Sequence, residues 1–169
     1  MYIDKKIDFT LKNWGLRLVK DKIAGDLTSA RRVNVRQGQK MAVSDYVVWL
    51  ALNKSNFDQK DVVTGDIEVI NVATSGILEP IDLPGIIFEP LIQTSPESMK
   101  IDRERVVVQP PDVIGLFRDF KSEDNRLTIA ARVTGKIKTG FPNGPPESQK
   151  NKNLSHIQIS KSSVNLIVV

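Results

Sequence analysis

Cysteine is absent from the 169 residues, which excludes disulfide staples, thiolate metal sites and a cysteine nucleophile together. Histidine occurs once, at position 156. A histidine-rich metal centre is therefore impossible, and a Ser-His-Asp triad would have to use that one residue. His156 falls in the alternating stretch LSHIQISK, where it reads as a strand side chain. Aromatic residues make up only 6% and do not interleave with Lys or Arg, so the stacking platforms of a single-strand nucleic-acid binder are missing. Charge of one sign is not dominant either: 24 basic against 20 acidic residues leaves +4, a mixed surface and not a polyanion-binding stripe. No nucleic-acid partner is expected. No apolar run approaches the roughly eighteen residues needed to cross a bilayer, and the N-terminus MYIDKKIDF lacks the apolar core of a signal peptide. GxGxxG, a phosphate-binding loop, GxSxG and metal-ligand clusters are all missing, so no enzyme, cofactor or metal is implied.

What is present suits one soluble globular domain, with 40% hydrophobic and 26% charged residues. Ile3, Ile7, Leu11 and Trp14 recur at helical spacing before Gly15, which predicts a short amphipathic helix stopping into a strand at Leu16 to Val19. Arg32 to Arg36 and Val43 to Leu52 flank Gln37-Gly38-Gln39 as a hairpin would. Asn56 or Asp58 can cap a short helix holding Val62 and Val63. Residues 67–81 read as a strand buried on both faces and broken at Gly76, and residues 86–92 as a strand whose Pro90 marks an edge or bulge.

Ser95-Pro96-Glu97 resembles a helix start, Arg105 to Val108 a short strand, and PPDVIGLFRDF a helix with Val113, Leu116, Phe117 and Phe120 on one face. Leu127 to Val133 is a strand, followed by a polar loop from Pro142 to Asn153. The last run, VNLIVV, reads as a central parallel strand whose following loop and helix are missing. The chain is thus expected to be an excised part of a longer domain. Strands alternating with helices favour an α/β fold with a mixed, mostly parallel sheet flanked by helices.

Candidate binding residues fall in three places. Arg31 and Arg32, beside Gly25-Asp26, could fix an anionic partner, although neighbouring strand residues point to opposite faces. Thr94 and Ser95, at the expected helix start, would offer hydroxyls and free backbone N–H groups to an anion, or simply cap the helix. Lys136 and Lys138 lie two apart beyond the strand and share a side with Arg132 if the extended conformation continues, forming the best basic stripe, which leads into the constrained loop GFPNGPP. That stripe is either a solvated face or a contact for an anionic partner.

Several motifs in order resemble the auxiliary component of GldG-type ABC transport systems. They are Trp14-Gly15, Gly25-Asp26, Ala30-Arg31-Arg32, Asp45-Tyr46, Trp49-Leu50, Asn71 to Gly76, Pro90 to Pro96, and Ala130 to Pro146. The last, AARVTGKIKTGFPNGPP, is the longest and most specific. The resemblance implies part of an extracytoplasmic, periplasmic domain on a membrane-anchored protein that works with an ABC permease and its ATPase in gliding or a related export process. It also implies a glutamine-amidotransferase-like α/β fold, akin to a domain of an intraflagellar transport subunit, without catalysis. An α/β half before the Trp-Gly helix and an Asp-Thr-Asp segment after the last strand would belong to the parent. Binding of an anionic ligand or glycan, docking on the transporter, and pure structural assembly stay open as roles.

Overall fold

The computed structural model describes residues 5–144 and 155–169. Among the described residues, two α-helices and ten strands follow one another as α1 (Lys5–Asn13), β1 (Leu16–Leu18), β2 (Lys22–Asp26), β3 (Ala30–Gln37), β4 (Lys40–Asn53), β5 (Val69–Ala73), β6 (Leu78–Pro80), β7 (Ile86–Gln93), β8 (Ser98–Asp102), α2 (Val113–Arg118), β9 (Thr128–Gly135) and β10 (Val164–Val168). One sheet has the order β1-β6-β9-β10 with β7 also on β9, β2 pairs with β8, and β3-β4-β5 form a third sheet.

The expected mostly parallel α/β sheet is not what forms. The ladders β9/β10, β2/β8, β3/β4, β4/β5 and β6/β9 are all antiparallel. Strand accounts for 43% of the chain and helix for 12%, too little helix to clothe both faces of a parallel sheet. A parallel pair needs a crossover of a dozen or more residues, usually helical, whereas β3 and β4 are joined by a tight turn at Gly38-Gln39.

Contacts divide the chain into two compact units. The first comprises Met1–Leu18, Glu79–Glu89 and Ala131–Val169, the second Val19–Leu78 and Pro90–Ala130. β6, β7 and β9 each run from one unit into the other.

The second unit holds two apolar clusters. Leu50, Leu52, Phe57, Ile77, Leu91 and Leu127 centre one; Ile23, Val47, Val48, Ile101, Val106 and Leu116 form the other. Alternation along β4 splits its side chains between faces, and Val47, Val48, Leu50 and Leu52 are buried. The β3–β4 hairpin closes where expected: Gln37 pairs with Lys40 around Gly38-Gln39, and Gly38 has φ +63°. Asp112 caps α2 by accepting the Gly115 N–H at 2.8 Å. Val113 and Leu116 face inward as predicted, but Phe117 is exposed.

In the first unit α1 ends at Asn13, Gly15 adopts φ +81°, and β1 begins at Leu16, matching the sequence expectation. A Cβ on Gly15 would sit 2.6 Å from Cγ2 of Ile86, so the turn needs glycine for space as well as for φ. β10 pairs antiparallel with β9, Leu166 opposite Val133 and Ile167 opposite Arg132. Among the described residues it ends the strand order, and it alternates half-buried with exposed residues, so it is an edge strand there and not a central parallel one.

Other local expectations fail for identifiable reasons. Asn56 ends a 3₁₀ turn at Lys54–Asn56, Phe57 bridges to Ile92, and residues 59–66 form turns and not an α-helix. Asp58 and Asp61 accept the N–H groups of Lys60 and Val63 two residues on, and these Asx turns hold the backbone away from helix, leaving Val62 92% exposed. β5 buries one face only, with Val69 57% exposed. Residues 103–105 make a 3₁₀ turn where a strand from Arg105 was expected. No helix starts at Ser95, because its amide and hydroxyl are taken by Asp26 and the chain turns into β8. LSHIQISK contributes one isolated bridge, Ile159 with Lys138, and no strand. Leu154 and most of the expected 142–153 loop lie outside the described residues.

Candidate docking surface

The stretch from Arg132 to Phe141 is held by its backbone. β9 ends at Gly135, where φ is +136° and a Cβ would overlap the carbonyl oxygen of Gly85. Beyond it, the Ser160 N–H donates to the Ile137 carbonyl at 3.0 Å and the Thr139 N–H to the Gln158 carbonyl at 2.9 Å. The Ile137 N–H returns to Ser160 Oγ at 3.2 Å. The indole N–H of Trp14 donates to the Lys138 carbonyl at 3.2 Å, and Gln158 Nε2 to the Pro142 carbonyl at 3.1 Å. Main-chain groups are thus consumed by the fold, while the side chains of Lys136 and Lys138 stand in solvent. Neither forms an ion pair among the described residues.

Arg132 lies on β9, and its guanidinium donates to Oδ1 of Asn165 across the ladder to β10. Residues 131–144 and 155–169 hold Arg132, Lys136, Lys138 and Lys161 and not one Asp or Glu. The imbalance extends to the units. The first carries ten Lys and Arg against six Asp and Glu, the second fourteen against fourteen, so the whole surplus of four positive charges belongs to the first unit.

The other sequence candidates belong to the second unit. Arg31 directs Nε and Nη2 to Asn71 Oδ1 at 3.0 and 2.5 Å. Arg32 approaches Asp45 at 3.4 Å, in register across the hairpin. It lines an open groove of about 470 Å³ with Asp45, Val35, Val43, Ile114 and Phe117. The exposed Phe117 ring thus belongs to this groove and not to the core, which helical periodicity alone did not reveal.

Thr94 and Ser95 are both buried and point inward. Thr94 Oγ1 accepts the Leu127 N–H at 2.8 Å, and the Thr94 carbonyl accepts from Arg126 at 2.9 Å. Ser95 donates its N–H and hydroxyl to the carboxylate of Asp26 at 2.6 and 2.7 Å, and Ser29 adds its N–H at 3.1 Å and hydroxyl at 3.0 Å. Asp26 is 0% exposed, and its two oxygens accept four hydrogen bonds. Four donors satisfy a buried carboxylate, so the site organises the loops at residues 26–29 and 94–98 and leaves no donor aimed at a ligand. Sequence reading used Gly25-Asp26 only as a neighbour of the arginines. Its local signal is an Asp at the end of a strand, three residues before Ser29.

Four sequence candidates therefore lie in one unit and three in the other. Arg132 lies in β9, and Lys136 and Lys138 follow beyond its end at Gly135. Among the described residues no group of three or more His, Cys, Asp or Glu is placed to hold a metal ion.

A family model described as an ABC-type uncharacterized transport system matches residues 1–169. No curated protein and no solved structure matches the chain.

Proposed function

The chain belongs to the family of auxiliary components of ABC-type transport systems, and from that membership we propose a non-enzymatic, GldG-type domain that docks on its transporter through the cationic surface of the first unit. Arg132, Lys136, Lys138 and Lys161 meet an acidic patch on the permease of the system, whose ATPase works on the other side of the membrane. The proposed setting is extracytoplasmic, as part of a membrane-anchored parent. One observation supports this reading above others: the net charge is gathered on residues 131–144 and 155–169, which contain no acidic residue, and among the described residues Lys136 and Lys138 form no ion pair. Exposed charges of one sign steer encounters and set salt dependence more than they stabilise a fold.

The test is capture of the detergent-solubilised transporter on the immobilised chain. Replacing Lys136 and Lys138 with Gln should weaken capture by about ten-fold, and raising salt should do the same to the unaltered chain. Stability should change by less than about 0.5 kcal/mol, since both side chains are exposed. Unchanged capture by the folded double variant would sink the docking role.

A second reading, a small anionic ligand or glycan, is favoured by the groove beside Arg32. Arg31, on the same strand, is engaged with Asn71, and Thr94 and Ser95 are engaged internally, so Arg32 would carry that role. Thermal shift with anionic sugars, abolished by Arg32→Gln, tests it.

A further inference from the structure

We propose that the free edge of β10 receives an extended, acidic segment of a partner chain as an additional strand; this names the partner for the docking reading above and rests on it. β10 closes the strand order on one side, and among the described residues its backbone makes no hydrogen bond outside its ladder with β9. An edge of this kind offers a row of unpaired N–H and C=O groups, which proteins ordinarily blunt with charged side chains, proline or very short strands. β10 carries none of these: its residues are Val164, Asn165, Leu166, Ile167 and Val168.

The contrast within the same chain is sharp. The outer strand β3 bears Arg31, Arg32 and Arg36, and the outer strand β1 is three residues long and bears Arg17. β5, uncharged like β10, ends the third sheet, but Asp66 and Glu68 lead into it and its unit has no net charge.

Charge chooses the occupant. β10 pairs with a strand that bears Arg132, and Lys136, Lys138 and Lys161 follow in the connecting segments, with no acidic residue in 131–144 or 155–169. A segment that adds by main-chain bonding gains affinity from the ladder and specificity from its side chains. Alternating acidic residues would meet the cations, and apolar residues between them would cover Ile167, which is exposed beside Arg132. A basic segment would meet like charge.

The probe is a blocked peptide of about eight residues, the span of an ordinary strand, alternating Glu with Val and Thr. Hydrogen exchange of the full chain, resolved by NMR, should show the outward amides of β10 slowed by more than about ten-fold at saturation, with β5 unchanged. The Lys136→Gln/Lys138→Gln variant should bind the peptide about ten-fold more weakly. The same peptide methylated on alternate backbone nitrogens keeps its charge but cannot complete a ladder, and it should not bind.

Equal binding of the methylated peptide would overturn strand addition, as would binding without protection of β10. Equal binding of a Lys-for-Glu peptide would overturn the charge preference. Protection of β10 by a second copy of the chain, or attachment to anionic phospholipid vesicles in place of the peptide, would overturn the choice of occupant. If the peptide fails while transporter capture still depends on Lys136 and Lys138, the docking reading stands and this inference alone falls.

Discussion

Asp26 accepts hydrogen bonds from the amides and hydroxyls of both Ser29 and Ser95, with no exposed surface. Replacing it with Ala orphans four buried donors, and stability should fall by about 3–5 kcal/mol, read as a lowered urea midpoint. Arg31→Ala, by contrast, removes an exposed arginine and one surface contact, and should cost less than about 1 kcal/mol in the same assay. Gly135→Ala combines a positive φ with overlap on the Gly85 carbonyl, so a loss above about 2 kcal/mol is expected. Tyr46 has its phenol pushed above the ordinary tyrosine value by burial. A raised folded value favours the neutral form, so this contribution is complete below about pH 10 and is lost as pH rises through the folded value. An absorbance titration should show a late tyrosinate wave that Tyr46→Phe removes. A wave unchanged by that substitution would contradict the assignment.

Individual elements were legible where their determinants are local. Helical spacing before Gly15 gave α1 and its end, Gly38 gave the β3–β4 hairpin, and Asp112 gave the start of α2. Asp112→Ala should cost about 1 kcal/mol, as should Gly38→Ala at its positive φ, each measured by chemical denaturation. Elements set by distant partners were not legible. Ser95 has the signature of a helix cap, yet its amide and hydroxyl donate to Asp26, 69 residues away. An apolar run such as VNLIVV announces a strand but not its direction, and that ambiguity produced the parallel sheet that the antiparallel ladders replace. The candidate surface divides the same way: the cationic course 132–138 was visible as residues, whereas the groove beside Arg32 required knowing where α2 places Ile114 and Phe117.

At the scale of the whole molecule, charge is sorted and not merely present. A net +4 spread evenly would be a weak solubility feature, but confined to one unit it makes a directional field that a partner of opposite sign can use. Membership in a transport-system family supplies a reason for such a partner. The effect should be kinetic and salt-sensitive: association should slow as ionic strength rises, with dissociation changing less. The most direct measurement is the association rate of the purified transporter with the immobilised chain, compared between the unaltered protein and the Lys136→Gln/Lys138→Gln variant at low and physiological salt. The account predicts about ten-fold slower association for the variant at low salt, with the gap narrowing as salt is added. Equal rates for two well-folded proteins at both salt concentrations would contradict it.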